Sequence, residues 1–335
     1  MEMTMTEAPT VAPGWSGAQL PFHEGELAAQ KRAGVLSVAA SIGRRGIRDY
    51  MPDQHREFYA QLPFMVIGGV DAEGQPWSTL RVGEPGFVSS PDAWTLRIGG
   101  GALPGDPLAD TWRRGSMVGG LGIQFDTRRR NRINGVVTAT DGDALTLTVS
   151  QSFGNCAKYI QSRTPVRVSR AEEGAAVEHS RVAAQLNDAD RALLRQADTF
   201  FIASANVADD AGSARGVDVS HRGGLPGFVR ADDAVTLTTP DFSGNRLFNT
   251  IGNLLVEPRA GLLFIDFATG DLLYVAADAE IVWEAPELSE FPGAQRLVRF
   301  HIREVRRSTG VLPLRWSAVQ YAPQFAPQAG KAALG

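Results

Sequence analysis

Arginine, serine and asparagine crowd two short stretches in the second half of the chain, and both stretches suit an anion. The first is RGVDVSHRGG at positions 215–224. On a strand alternate side chains face one way, so Asp218, Ser220 and Arg222 share a face while Arg215 lies on the other. The second is PDFSGNR at 240–246, a loop that opens into a helix with Ser243 as its N-cap. Backbone N–H groups at such a start point outward at the positive end of the helix dipole, and Arg246 adds a guanidinium able to hold a phosphate through two bonds. Taken alone, each stretch also reads as something plainer, a solvated charged strand or an ordinary capped helix. A third cluster, RRRNRIN at 128–134, places Arg130, Arg132 and Asn134 on one strand face. That stripe suits an acidic substrate or the phosphate itself, with a solvated edge strand as the alternative.

Other familiar chemistries are missing. The five histidines (His23, His55, His179, His221, His301) are scattered, with no HExxH pair for zinc. There is no GxxxxGK[ST] phosphate loop and no GxSxG nucleophile elbow, and GGG at 99–101 is not the GxGxxG dinucleotide fingerprint. These absences weigh against hydrolases, kinases and Rossmann dehydrogenases together. Cys156, the one cysteine, cannot form an internal disulfide or a thiolate-rich metal site. It reads as a small apolar residue in a reducing, cytoplasmic setting.

The elements that must position these residues follow from length and patterning. The 335 residues, 43% hydrophobic and 21% charged, are those of a globular chain of about two domains. Lysine plus arginine (33) against aspartate plus glutamate (37) gives −4, which argues against a nucleic-acid or anionic-membrane surface. No apolar run approaches the ~20 residues of a membrane span, and the start lacks a secretory signal. Residues 1–20 read as a flexible arm and 321–335 as a loose tail.

Between them the chain repeats itself. GEPGFV at 83–88 returns as GLPGFV at 224–229, 141 positions on; DAWTL at 92–96 falls on DAVTL at 233–237, and GGLGIQF at 119–125 on GLLFIDF at 261–267, offset by 142. Two hairpins sharing a Pro-Gly turn by chance are the alternative. Each copy opens with a short helix (53–62; 188–197), and continues as β-rich runs between turns: 64–70, 87–89, 94–98, 133–139 and 145–150, then 200–207, 235–239, 262–267 and 272–282. A further helix is expected near 108–114 and again at 246–257. The pattern predicts a mainly β fold with short helices, two small barrels in tandem, at 21–170 and 185–320.

Together and in this order, these segments resemble the flavin-binding split barrel of the pyridoxamine 5′-phosphate oxidase-related family, most clearly over 200–283. In that family an arginine on the second strand and a Ser-Arg-Lys turn before a helix hold the FMN phosphate, and EPRAGLLF at 257–264 matches the strand after that helix. The resemblance puts Arg215 in the strand arginine's place, Ser220 at a second basic position, and Ser243, Gly244 and Asn245 at the turn. The chain departs from the family at three phosphate positions, with Arg222 and Arg246 close enough to compensate. FMN binding is implied, pyridoxamine phosphate oxidation is not. The first copy matches more faintly, through GEPGFV and TRRRNRING at 127–135. Its counterpart of the phosphate turn, PGDPL at 104–108, carries Asp106, which repels phosphate, and Pro107, which lacks an N–H.

Family members are usually homodimers with flavin between two barrels, so the fused pair resembles a dimer in one chain, with Lys158 either reaching the flavin from across or lying on an ordinary helix surface. His221 is either a proton donor or a packing partner of the ring. The implied function is an FMN-dependent oxidoreductase acting on a small molecule, with NAD(P)H as a candidate electron donor and a homodimer as a candidate assembly. The alternative is a non-catalytic carrier of flavin or haem in the same cavity.

Overall fold

The computed structural model describes residues 14–168 and 180–325; His179 and most of the expected arm and tail lie outside the described residues. Three helices come first: α1 (Glu24–Arg32), α2 (Leu36–Gly46) and α3 (Asp53–Ala60). At the start of α1 the His23 side chain accepts from Gly25 N–H and Glu26 reaches back to His23 N–H, closing a capping box. Residues 14–20, expected to be part of a flexible arm, are instead seated on α2. Trp15 N–H donates to Arg44 O at 2.8 Å, and its ring packs beside Phe22 and Ile42.

The first half then forms β1 (Phe64–Val70), β2 (Pro76–Val82), β3 (Val88–Ser89), β4 (Thr95–Ile98), β5 (Met117–Gln124), β6 (Arg129–Asp141) and β7 (Ala144–Asn155). After β8 (Pro165–Arg167) and β9 (Ser180–Ala183), the second half opens with α4 (Asp188–Gln196). It continues as β10 (Thr199–Asn206), β11 (Gly216–Gly223), β12 (Arg230–Ala231), β13 (Thr236–Phe242), α5 (Asn249–Val256), β14 (Arg259–Ile265), β15 (Leu272–Val282) and β16 (Ala294–Ser308), and β17 (Leu314–Trp316) closes on β8. The chain is mainly β with short helices. One sheet runs β2-β1-β5-β6-β7-β4-β3 and the other β11-β10-β14-β15-β16-β13-β12, with β9 added on β16. Counted within its own half, each sheet has the same order: second, first, fifth, sixth, seventh, fourth, third. No helix among the described residues is long and apolar enough to cross a membrane.

Two expected helices differ. Residues 108–114 form turns, because Asp106 Oδ1 takes the Leu108 N–H at 2.8 Å, Pro107 offers no N–H, and Leu108 is drawn into the core. The helix expected over 246–257 starts only at Asn249. Arg246 and Phe248 adopt φ of 66° and 65°, outside the right-handed helical region, so Phe248 is the N-cap and Ser243 is not.

Each sheet covers its own core, Leu96, Val118 and Ile133 in the first half and Leu237, Phe264 and Phe300 in the second. A third core lies between the halves, where Phe64, Leu121 and Phe125 meet Phe201, Val219 and Leu263. This is why β1 and β10 are buried on both faces. The contact is reciprocal: β5 lies on β11, and β14 lies on β2. Two glycines 142 positions apart let backbones approach closely within it. A Cβ on Gly119 would overlap the carbonyl oxygen of Val217, and one on Gly261 that of Pro76, itself 141 positions before Val217. Gly261→Ala is therefore expected to cost about 1–3 kcal/mol by overpacking. An unchanged thermal midpoint would show that the backbones can part without loss.

Candidate functional site

Between the halves opens a cavity of about 610 Å³, inside the ~300–1,000 Å³ range of small-molecule sites. β11 contributes Ser220, His221 and Arg222; loop 243–246 and the start of α5 form one wall; Arg130, Arg132 and Asn155 of β6 and β7 form the facing wall. Trp283 and Arg296 stand behind, and the turn between α1 and α2 brings Arg32, Val35 and Val38 to the rim.

Charge dominates this lining, with six arginines (Arg32, Arg130, Arg132, Arg222, Arg246, Arg296) against one carboxylate, Asp241. Asp241 accepts from Arg222 at 2.6 Å and lies 3.4 Å from Arg296 Nε. Arg132 is answered by Asp218, which also accepts from Asn134 and Asn253 at 2.9 and 2.8 Å. The remaining guanidinium groups leave a cationic excess suited to a multiply charged anion.

Arg130 donates to His221 Nδ1 and to Cys156 O, both at 2.9 Å. Because a guanidinium can only donate, Nδ1 is the acceptor and the ring proton sits on Nε2. Burial, together with the charges of Arg130, Arg222 and Arg163, holds the His221 pKa well below its usual value, so the ring is neutral. It packs edge-on against Phe125 and Phe201. Burial likewise lowers Arg130, to about 10, which leaves it cationic at neutral pH.

Beneath the cavity, α1 joins the same polar network. Glu26 accepts from Asn249 Nδ2 and His23 N–H; burial first, and then the charge of Asp218, push its pKa up to about 8. His23 donates to Asn253 Oδ1 at 2.8 Å, and burial lowers its pKa.

Of the residues singled out in the sequence, Ser220, His221, Arg222, Ser243, Gly244, Asn245, Arg246, Arg130 and Arg132 line this one cavity. Three do not. Arg215 stands one residue before β11, exposed, paired with Asp209 at 2.9 Å and bonded to Val207 O, so it points away from the cavity. Asp218 lies behind the lining, committed to Arg132. Lys158 is exposed and off the lining. The sequence reading missed Arg32, Trp283, Asn249 and Arg296. Only the pairing of Arg296 with Asp241 across β16 and β13 brings that arginine in, and sequence spacing does not reveal register.

The reciprocal position across the interface is built differently. Arg132 faces Leu121 across β5 and β6, and Tyr274 faces Leu263 across β14 and β15; Asp218 is 141 positions after Trp77. The buried ion pair is thus replaced there by two aromatic rings of the shared core, joined by Leu108 and Trp112. Asp106 is buried beside them, its pKa raised by burial.

No family model matches the chain, and no curated protein does. Among solved structures it is similar to a FAD-binding protein of Mesorhizobium loti (14% identity, 38% of this chain and 97% of that one, TM-score 0.27). It is also similar to an FMN-binding protein of Syntrophomonas wolfei (13%, 35% and 88%, TM-score 0.24) and to HupZ of Group A Streptococcus (12%, 35% and 89%, TM-score 0.28).

Proposed function

We propose that the cavity binds flavin mononucleotide, and that the protein is an FMN-dependent oxidoreductase acting on a small molecule, built as two tandem split barrels with the second supplying most of the flavin contacts. The observation that carries this reading is the lining itself, six guanidinium groups and one carboxylate around a closed loop at the meeting of two alike sheets. Two buried polar atoms of residues in this lining, Arg296 Nη1 and His221 Nε2, have no hydrogen-bond partner in the protein. The residues present fit a ligand with a terminal phosphate and a polar ring edge. The Ser243 hydroxyl, Arg246 and Arg222 would take the phosphate, while Arg130, steadied by neutral His221, would offer a fixed positive charge from the facing wall. The bound flavin supplies hydride or electron transfer. The chain needs no acid–base residue for that step, so its own work is to bind, orient and exclude water.

The test is the absorption spectrum of the chain as purified and after reconstitution with FMN, followed by heat release of the chromophore against standards and addition of NADH or NADPH without oxygen. One FMN per chain, bleached by a reduced nicotinamide, is expected. FAD as the major species would overturn the mononucleotide assignment, a bound flavin that no donor reduces would favour a carrier, and a colourless protein that takes up no flavin would end the reading. Arg246→Ala should weaken FMN by about 10- to 150-fold, the worth of a charge-assisted bond. Arg215→Ala should leave affinity unchanged.

A further inference from the structure

After β7 the chain crosses from the first half onto the second, and residues 155–160 lie over loop 243–246. The Tyr159 hydroxyl donates to Ser243 O at 3.0 Å. Its ring stacks on Phe242, the residue just before the loop, with centroids 5.2 Å apart and planes at 27°. Phe325 closes against both rings. Asn155 Oδ1 accepts from Asn245 Nδ2 at 2.8 Å, while Asn245 Oδ1 takes the Leu247 N–H within the loop. The crossing is seated tightly: the carbonyl of Tyr159 rests on Gly223, where any Cβ would overlap it.

The loop held in this way is strained. Among the described residues four non-glycine positions have positive φ, and of these Tyr159 lies on the crossing, Arg246 in the loop and Phe248 two residues beyond it. Such backbone is disfavoured for residues with a Cβ and persists only where its surroundings over-determine it. Locally, Asn245 Oδ1 takes the Leu247 N–H; the bonds from Tyr159 and Asn155 add restraint from the other half of the chain. Tyr159 itself does not line the cavity.

We infer that Tyr159, supported by Asn155, is a positioning residue that holds loop 243–246 in the form that receives the ligand's phosphate, so that a residue of the first half sets the anion affinity of the second. The inference rests on the flavin reading of the cavity. Released from Tyr159, the loop relaxes, and the ligand must restore its shape at the expense of binding.

Tyr159→Phe removes the hydroxyl and keeps the stack. It should raise the FMN dissociation constant roughly 3- to 10-fold, the effect of one net hydrogen bond, and leave riboflavin, which has no phosphate, unaffected. A merely structural role would weaken both. Tyr159→Leu, without hydroxyl or ring, should lose more FMN affinity and still spare riboflavin. Inorganic phosphate is the second probe, read as a rise in thermal midpoint that is larger in the wild type than in Tyr159→Phe. If Tyr159→Phe binds FMN and phosphate as the wild type does, or loses riboflavin equally, the positioning role falls. A wild type that ignores flavin but is stabilised by phosphate more than the variant overturns the flavin reading and upholds the positioning role. A wild type that responds to neither overturns both.

Discussion

Asp218→Ala should remove about 3–5 kcal/mol of stability, the cost of leaving a buried partner charge uncompensated. Arg132 is 2% exposed; burial lowers its pKa and the charge of Asp218 opposes that shift, while Asn134 and Asn253 would each lose an acceptor. These partners sit on β6 and α5, so the loss falls on the joint between the halves as well as on the cavity. Chemical denaturation measures it directly, and a loss below about 1 kcal/mol would show that water reaches Arg132. Replacing both members by apolar residues, Asp218→Leu with Arg132→Met, should recover part of the loss, since burying two charges is itself costly.

Glu26→Gln should flatten the dependence of stability on pH. In the wild type the carboxyl titrates near 4.5 when unfolded and at about 8 when folded, raised by burial and by Asp218. The folded state therefore favours the neutral form. Its contribution is fully present below pH 4.5 and is lost as pH rises towards 8, at up to roughly 1.4 kcal/mol per unit. Glutamine cannot ionise, so this slope disappears. His23 and His55, whose pKa values burial lowers, act in the opposite sense below pH 6.5. His55 does so in both proteins, whereas His23 Nε2 lies 3.6 Å from Glu26 and responds to the substitution, so the difference between the two curves isolates Glu26 above pH 6.5. Urea midpoints between pH 5 and 8 that stay parallel would sink the assignment.

Much of the site was legible because its residues obey local rules. Alternation on a strand puts Ser220 with Arg222, and Arg130 with Arg132, whatever the tertiary fold. The 141-residue repeat announced two alike units, and the two sheets have the same strand order. What escaped depends on contacts far apart in sequence. Helix α1 buries Glu26 and Gln30 where an amphipathic helix would bury leucines, so its sequence carries no apolar stripe. Its burial is made favourable by Asn249, Asn253 and the Leu247 carbonyl, more than 200 residues away. The late start of α5 goes with left-handed φ at Arg246 and Phe248, in a loop bonded to Tyr159 and Asn155, more than 80 residues away in sequence. Arg215 misleads by a single residue: strand β11 begins just after it, and its side chain is held by Asp209 and the Val207 carbonyl instead.

In a symmetric pair of identical chains, any substitution that suits one binding site enters its mate as well. Here positions 132 and 274, like 218 and 77, belong to one chain and can be exchanged independently. One side of the interface has kept ionic side chains, an open cavity and strained backbone, all of which detract from stability. The other has Trp77 and Tyr274 among the largest fully buried side chains of the molecule, each a large source of apolar burial. An open, charged lining and close apolar packing are divided between the two ends of a single interface.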